Sequence, residues 1–183
     1  MDSLVKIVLS VLLVASGILL LFYFLKPRKK YPALKEGDKA PDFTLVDEEG
    51  NERSLHRLKG HRVVIYFFPK SDTPGCTQQA CGIRDIYDVY KEKDIKVLGI
   101  SYDSPQALKK FKEKYHLPFT LLSDSSKEVA QRYGAYKSAL NALFPARITF
   151  LIDEEGKIIK IIENVNVTTH AQEILSAFGI GPT

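Results

Sequence analysis

The sequence predicts a mixed α/β domain, and three observations lead to that prediction. Short apolar stretches typical of buried strands alternate along the chain with amphipathic stretches of helical periodicity. Two further strand-like stretches flank the acidic turn 153–156, which is a hairpin signal and requires an antiparallel pair. The composition, 45% hydrophobic and 26% charged, is that of a globular protein. We therefore expect a mixed sheet with helices on both faces.

Each predicted element rests on a local pattern. In the longest helix, which begins at Pro74, apolar residues recur at the spacing of one buried helical face, namely Ile83, Ile86, Tyr87 and Tyr90. The predicted strands are 43–46, 63–68, 97–101, 119–122, 147–152 and 157–162, and the further helices are 105–115, 127–133 and 169–178. The paired acids at 47–51 and 153–156 belong to turns and are not expected to act as an acid–base pair.

The net charge of +4 is not spread evenly over the chain. Residues 1–30 hold five of the 26 Lys and Arg residues and one of the 22 Asp and Glu residues, so 21 of each sign remain in residues 31–183. Nucleic-acid binding depends on clustered basic side chains that neutralise phosphates. The neutral remainder has no such excess, which argues against a nucleic-acid-binding protein.

Residues 7–25 form an uncharged apolar stretch of nineteen residues. As a helix of about 1.5 Å per residue, such a stretch approaches the roughly 30 Å hydrocarbon thickness of a bilayer. We therefore expect a single-pass membrane protein in which residues 1–30 are an anchor with a basic flank and residues 31–183 are the domain. A cleaved signal peptide is the alternative, but its apolar region is usually about 7 to 15 residues and ends in a small-residue motif. The basic residues within 26–30 predict that the domain faces the cytoplasm.

Cysteine usage narrows the chemistry. Cys76 and Cys81 are too few for a disulfide-rich secreted scaffold. A structural zinc site needs four ligands, and the histidines lie singly along the chain. No metal site is therefore expected, and the informative feature is the closeness of the two cysteines.

Cys76 lies where an apolar strand is predicted to meet the longest helix, which is a usual location of ligand sites in α/β folds. Thr73 is a favourable N-cap and Pro74 a favourable first residue, which places Cys76 at position N3. The unpaired N–H groups and the positive dipole end of a first turn stabilise a thiolate relative to a thiol. The sequence thus predicts that Cys76 is a nucleophile near neutral pH and not merely a buried apolar residue.

Cys81 follows five residues later on the same predicted helix. Two helical residues at that spacing are separated by about 7.5 Å along the axis alone. A disulfide usually requires Cα atoms closer than about 7 Å. A bond between the two cysteines would therefore require the first turns of the helix to unwind, which Gly75 and Gly82 would assist.

The segment that contains both cysteines resembles the active site of the peroxiredoxin family. Pro69, Thr73 and Cys76 match the family motif P-x-x-x-T-x-x-C. Cys81 matches the C-x(4)-C spacing of the bacterioferritin comigratory, or peroxiredoxin Q, subfamily.

The resemblance extends beyond the cysteines. Residues 37–43 are similar to the opening of the family, and Arg147 falls where the family carries an active-site arginine. The similarity covers residues 34–180 and leaves out the N-terminal segment. It implies a thioredoxin-like domain, here preceded by the predicted transmembrane helix, that acts as a monomer.

The resemblance implies a thiol peroxidase that needs no haem, flavin or metal. Cys76 would attack the O–O bond of hydrogen peroxide or an organic hydroperoxide. Thr73 and Arg147 would hold the peroxide oxygens and the thiolate, and Pro69 would shield the site from water. The sulfenic acid formed on Cys76 would condense with Cys81 to a disulfide, which an external dithiol such as thioredoxin would reduce.

Two other functions remain open at this point. A membrane-tethered thiol–disulfide oxidoreductase of thioredoxin-like fold would share the anchor and the domain, but its chemistry uses C-x-x-C and the spacing here is C-x(4)-C. A non-catalytic redox sensor would use the same reactive Cys76. Only turnover with a recycling reductant separates such a sensor from an enzyme.

Overall fold

The computed structural model of the 183-residue chain describes residues 8, 12, 31–136 and 142–181. The chain divides into two units, Met1–Lys30 and Tyr31–Thr183. In the first unit only Val8 and Leu12 are described, and both are helical and exposed. The second unit contains the sheet and the cysteines.

Within the described part of the second unit the chain forms seven strands, five α-helices and one 3₁₀ helix. The strands are β1 Thr44–Asp47, β2 Glu52–Ser54, β3 Arg62–Phe67, β4 Ile95–Ser101, β5 Thr120–Ser123, β6 Ile148–Ile152 and β7 Ile158–Ile162. The helices are α1 Pro74–Asp85, α2 Tyr87–Glu92, α3 Pro105–Tyr115, α4 Glu128–Arg132 and α5 His170–Ala177, and the 3₁₀ helix is Leu55–Leu58.

The seven strands form one sheet in the order β2-β1-β5-β4-β3-β6-β7. Strand β4 pairs in parallel with both β3 and β5, whereas the other pairs are antiparallel. The last two strands form the hairpin that the acidic turn predicts, with Ile152 opposite Ile158. The mixed α/β fold predicted from the sequence is therefore confirmed.

Strand β3 separates two apolar cores because successive side chains of a strand point to opposite faces of the sheet. Val64 and Tyr66 belong to the first core, which contains buried residues of α1, α2, α3 and α5. Ile65 and Phe67 belong to the second core, which contains buried residues of α4 and the 3₁₀ helix. Helices thus cover both faces, which explains why β3 is apolar along nearly its whole length.

The largest difference from the predicted elements lies in the longest helix. The apolar period predicts one continuous helix through Tyr90, but α1 ends at Asp85 and α2 begins at Tyr87. Ile86 between them has backbone angles of φ −119° and ψ 22°, which are not helical. Tyr90 is completely buried, and its hydroxyl donates to the carbonyl of Ala171 at 2.7 Å. The break between α1 and α2 is therefore accompanied by a tertiary contact with α5. A local sequence pattern contains no information on such a contact.

Two short elements were not predicted. Strand β2 has only three residues, two of which are exposed, so it lacks an apolar alternation. The 3₁₀ helix buries only Leu55. Elements this short carry too few residues for a periodic signal.

The predicted transmembrane helix falls on residues 7–25, which lie outside the described residues apart from Val8 and Leu12. Among the residues that the structure describes, no helix is long and apolar enough to cross a membrane. The longest of these, α1, has 12 residues. At about 1.5 Å per residue it is far shorter than the roughly 30 Å of a bilayer core. These findings contradict the predicted localisation as a single-pass membrane protein with its domain on the cytoplasmic side.

The register of the sheet determines which residues meet at the end of β3. Ile148 at the start of β6 lies opposite Phe67 at the end of β3. Because this pair is antiparallel, Arg147 lies at the same sheet edge as the connection from β3 to α1. That edge is the location of the cysteine-bearing helix.

Candidate active site

The local structure around Cys76 follows the pattern of helix-start residues. Thr73 occupies the N-cap position with extended backbone angles, and Pro74 is the first helical residue. The first helical backbone bond joins the amide of Thr77 to the carbonyl of Thr73 at 2.8 Å. Cys76 therefore lies at N3, with its amide among those that precede the first helical bond. The predicted position of the cysteine is confirmed.

The side chain of Thr73 does not cap the helix. Its hydroxyl donates to the carbonyl of Lys70 at 3.0 Å, and no side-chain cap bond is made. Thr73 is thus the N-cap residue that the sequence predicts, but its hydroxyl bonds a nearby carbonyl of the preceding connection and not a helix amide. A hydroxyl that donates once still has acceptor lone pairs, so Oγ1 of Thr73 retains the capacity to accept from a protonated ligand.

Arg147 meets Cys76 directly, although 71 positions separate them in the sequence. Its Nη2 donates to the sulfur at 3.3 Å. Cys76 is only 2% exposed, so this contact lies in a largely water-excluded place. A Cβ atom added to Gly75 would lie 3.5 Å from Nη2, which shows how closely the guanidinium passes over the start of α1. The guanidinium therefore holds a fixed positive charge directly beside the sulfur.

A chain of buried polar side chains continues from Arg147 into the first core. Nη1 of Arg147 donates to Oε1 of Gln79, and Nε2 of Gln79 lies 3.1 Å from Nδ1 of His170. Nε2 of His170 lies 2.9 Å from Oγ1 of Thr149. Gln79, Thr149 and His170 are all completely buried. The chain joins α1, α5 and β6 around the guanidinium.

Burial keeps His170 neutral. Removal from water lowers the pKa of His170 from 6.5 to about 4, and the positive charge of Arg147 adds to this effect. At neutral pH the imidazole therefore carries one proton, and one of its nitrogens is an acceptor.

Tyr66 lies beside these polar groups. Its hydroxyl is buried and has no hydrogen-bond partner among the described residues. Its ring makes an edge contact with His170, with the centroids 6.3 Å apart. Burial, with a smaller contribution from neighbouring Cys76, raises the pKa of Tyr66 far above its usual value. The phenol is therefore neutral at physiological pH.

The connection that leads to Cys76 is held by polar contacts from two sides. Asp103 accepts from the amide of Ser71 at 2.7 Å. Asp72, which adopts a positive φ of 58°, accepts from Nζ of Lys114 at 2.8 Å and from the hydroxyl of Tyr115 at 2.7 Å. These contacts anchor the residues between Pro69 and Thr73. Pro69 itself is half-buried directly after Phe68.

Cys81 lies on α1 as well, half-buried, and both cysteines are free thiols. The helix is continuous from Pro74 to Asp85, so the two cysteines are separated by about 7.5 Å along its axis. Beyond Cys81, Nη1 of Arg84 donates to the carbonyl of Tyr115 at 2.8 Å. The C-terminal end of α1 is thereby tied to α3, whereas Cys76 lies in the first turn and Cys81 in the third.

Of the predicted site residues, the structure brings Cys76 and Arg147 into contact and places Thr73 at the same helix start. Sequence reasoning assigned no role to Gln79 or His170. Gln79 could have been found as a polar residue on an otherwise apolar helical face, since it lies among buried Cys76 and Ala80 on α1. Within residues 31–136 and 142–181 no three His, Cys, Asp or Glu side chains are grouped so as to hold a metal ion.

A comparison of the sequence with models of known protein families shows to which family the chain belongs. Residues 36–161 match the model of the AhpC/TSA family. The chain belongs to the AhpC/TSA family.

Named AhpC/TSA relatives agree with this assignment. A putative peroxiredoxin Bcp of Coxiella burnetii is 46% identical over 147 residues, which are 78% of this chain and 97% of the relative. Peroxiredoxin Bcp of Escherichia coli is 44% identical over 147 residues, which are 78% of this chain and 94% of that protein. A chloroplastic peroxiredoxin Q of Oryza sativa is 44% identical over 131 residues, which are 72% of this chain and 60% of the relative.

Solved structures of the same kind are similar in fold. Peroxidoxin BcpB of Mycobacterium tuberculosis superposes with a TM-score of 0.75 at 35% identity, covering 80% of this chain and 97% of that one. The bacterioferritin comigratory protein of Xanthomonas campestris superposes with a TM-score of 0.71 at 28% identity, covering 75% and 90%. The thioredoxin-like peroxiredoxin fold and the Bcp/peroxiredoxin Q subfamily are thus confirmed.

Membership in this subfamily makes the chain a thiol-dependent peroxidase, an oxidoreductase. The bacterial relatives are matched over nearly their whole length by 147 residues, so the comparison lends no support to the predicted membrane anchor. The roles of individual side chains are a separate question, which rests on the geometry around Cys76.

Proposed function

We propose that Cys76 is the peroxidatic cysteine and that the unit of residues 31–183 is the catalytic domain. The observation that carries this proposal is the contact of 3.3 Å between Nη2 of Arg147 and the sulfur of Cys76 at a helix N-terminus. The thiolate attacks one oxygen of a hydroperoxide, so that an S–O bond forms and the O–O bond breaks. The sulfur is oxidised to a sulfenic acid, and the second oxygen leaves as water or an alcohol after taking up a proton.

The neighbouring residues suit the demands of this step. Negative charge shifts from the sulfur to the leaving oxygen, and the guanidinium of Arg147 has donors for both atoms. The hydroxyl of Thr73, already a donor to Lys70, accepts a hydrogen bond from the bound hydroperoxide. Pro69, half-buried two residues after β3, shields the sulfur from water.

Cys81 is the resolving cysteine in this proposal. Its thiolate attacks the sulfur of the Cys76 sulfenic acid, an S–S bond forms, the S–O bond breaks, and the leaving hydroxide takes up a proton to become water. Because both residues are on one continuous helix, the first turns of α1 unwind before the bond closes. The bond between Arg84 and the carbonyl of Tyr115 holds the other end of the helix in place.

An external dithiol such as thioredoxin then reduces the disulfide. Two electrons and two protons from the reductant restore both thiols and leave the reductant as a disulfide. We propose that the chain does this as a monomer, with both cysteines of the disulfide contributed by the same helix. Sedimentation of the reduced and oxidised protein tests the oligomeric state.

The test is peroxide-dependent oxidation of reduced thioredoxin by the full 183-residue chain. Cys76→Ser should abolish turnover, since the nucleophile is gone. Cys81→Ser should allow one rapid oxidation of Cys76 per molecule but block recycling by thioredoxin. His56→Asn, which alters an exposed histidine paired with Asp42, serves as the control and should leave the rate unchanged. Full turnover by Cys76→Ser would exclude the proposal.

The same assay separates the alternative functions. A thiol–disulfide oxidoreductase would reduce a protein disulfide without consuming peroxide. A redox sensor would oxidise once and show no sustained turnover with any dithiol. The continuous helix between the cysteines argues against the first alternative, because C-x-x-C chemistry depends on two cysteines that are already close.

A further inference from the structure

The buried polar chain behind Arg147 is unusual for the core in which it lies. Gln79, Thr149 and His170 are each completely buried beside apolar residues of the first core. Burying such groups costs stability unless each is hydrogen-bonded. The proposed chemistry assigns no role to His170, which lies 91 positions from Gln79 in the sequence.

The hydrogen-bond donors and acceptors of these side chains can be arranged in only one way. A guanidinium only donates, so the carbonyl oxygen of Gln79 faces Arg147 and its amide NH2 faces His170. Nδ1 of His170 must then accept, which places the imidazole proton on Nε2. From there it is donated to Oγ1 of Thr149 at 2.9 Å. Arg147 thus determines which way the Gln79 amide points, and a neutral His170 supplies the acceptor that this orientation needs.

We propose that His170 is a positioning residue that, by supplying this acceptor to Gln79, holds the guanidinium of Arg147 against the sulfur of Cys76. The inference rests on the proposed function of Cys76 and Arg147. His170 touches neither the sulfur nor the peroxide, and acts only through Gln79.

The physical reason is the cost of an unpaired donor. Without an acceptor at the position of Nδ1, the NH2 group of Gln79 is buried with no partner. Turning the amide over does not help, since its NH2 group would then face the donors of Arg147. Gln79 would have to move, and Arg147 would lose the acceptor that determines its position. A misplacement of about 1 Å at a reacting group reduces rates by about a hundredfold.

The surroundings keep the imidazole in the required form. The groups that face it are the cationic Arg147, the neutral phenol of Tyr66, and Gln79 and Thr149. Burial and the Arg147 charge lower the pKa of His170 to about 4. Nδ1 therefore remains an acceptor throughout the physiological range of pH.

Two conservative substitutions of His170 each keep one of its two hydrogen bonds and remove the other. An Asn side chain carries a polar atom close to the position of Nδ1, so His170→Asn preserves an acceptor for Gln79 and loses the bond to Thr149. A Gln side chain extends to the position of Nε2, so His170→Gln reaches Thr149 and leaves Gln79 unpaired. His170→Leu removes both bonds.

The experiment measures two rates for these variants in the full chain. The first is kcat/KM for hydrogen peroxide with thioredoxin. The second is alkylation of Cys76 by iodoacetamide at pH 7 in a Cys81→Ser background, where it is the sole cysteine. We expect kcat/KM to fall by about tenfold to a hundredfold in His170→Leu and His170→Gln, with slower alkylation. His170→Asn should recover most of both rates.

Equal rates for His170→Asn and His170→Gln would overturn the proposal, as would rates of His170→Leu within twofold of the parent. If His170→Leu fails to fold, the Asn and Gln variants decide the question alone, since both keep a polar side chain. His56→Asn is the control for replacing a histidine. Turnover by Cys76→Ser would instead refute the proposed function, and the alkylation rates would still test the role of His170.

Discussion

Arg147 joins the sulfur of Cys76 to the buried polar side chains of the first core. One terminal nitrogen of its guanidinium donates to Cys76 and the other to Gln79. A planar group with several donors makes both bonds from one position and retains N–H groups for a bound peroxide. An ammonium group is a point charge and does not reproduce this geometry.

The first prediction follows from that geometry. Arg147→Lys retains the positive charge but not the paired donors, so kcat/KM for peroxide should fall by about a hundredfold or more. The measurement is steady-state kinetics, with circular dichroism to establish that the fold is retained. Arg62→Lys is the matched control, since Arg62 forms an exposed pair with Glu154 and should be replaceable. A loss of less than threefold in Arg147→Lys would show that charge alone suffices.

At the scale of a single element, α1 serves two demands that conflict. A folded first turn presents the Cys76 sulfur to Arg147. In the proposed mechanism this turn must unwind before Cys81 can reach that sulfur. Gly82 lowers the stability of the helix because glycine has greater conformational freedom in the unwound chain. A Cβ atom at Gly82 would meet only Ala171, at 4.0 Å, so an alanine fits there.

The second prediction concerns the rate of unwinding. Gly82→Ala should stabilise α1 by about 0.5 to 1 kcal/mol and slow disulfide formation by about two- to fivefold. Stopped-flow fluorescence or rapid quenching after one equivalent of peroxide separates this step from oxidation of Cys76. The oxidation step is the internal control and should keep its rate. Unaltered disulfide formation would mean that α1 does not need to unwind.

Strand β4 contains Gly99, a glycine with no space for a side chain, in contrast to Gly82. A Cβ atom at Gly99 would lie 2.7 Å from the hydroxyl oxygen of Tyr66 and 2.8 Å from Cδ2 of Leu121. Both contacts are shorter than real Cβ contacts, and the two neighbours are completely or almost completely buried. The absence of a side chain at Gly99 therefore allows the hydroxyl end of Tyr66 to lie close against β4.

The third prediction uses this contrast. Gly99→Ala should lower the free energy of unfolding by about 1 to 3 kcal/mol, because an overpacked core forces its neighbours to shift. Urea denaturation gives the value, and Gly82→Ala is the control, since it adds the same methyl group where space exists. Equal stability of the two variants would contradict the packing argument.

At the scale of the whole molecule, the sheet separates two cores and brings the ends of distant segments to one edge. The connection after β3, the start of β6 and the start of α5 all contribute to the neighbourhood of Cys76. One of these contributions, His170, is a buried ionisable group whose charge state is coupled to folding. Stability must therefore depend on pH in a defined range.

The fourth prediction gives the direction of that dependence. The pKa of His170 is lowered from 6.5 to about 4 in the folded protein, so between these values the unfolded chain binds a proton that the folded chain does not. The contribution of His170 to the free energy of unfolding is fully present above about pH 6.5. It decreases by roughly 3 kcal/mol as the pH falls towards 4. Urea unfolding of the wild type and His170→Asn from pH 4 to 7.5 measures this, and the variant should vary less. Parallel curves would refute the assignment.

Much of the fold follows from patterns within a few residues. The predicted helix 105–115 coincides with α3, and the predicted hairpin is the β6–β7 pair. The break at Ile86 escaped prediction, because the apolar period of α1 and α2 is consistent with one helix and only the packing of Tyr90 against α5 distinguishes the two.

By itself the sequence determined the helix start at Thr73 and Pro74 and the place of Cys76 at N3, because these depend on neighbouring residues. The resemblance to the family implied that Arg147 holds the thiolate, but only the tertiary structure decided that its Nη2 donates to the sulfur and that His170 lies next to Gln79. Those contacts join residues 71 and 91 positions apart. They arise from the register of β6 against β3 and from the packing of α5 on α1, which no local pattern contains.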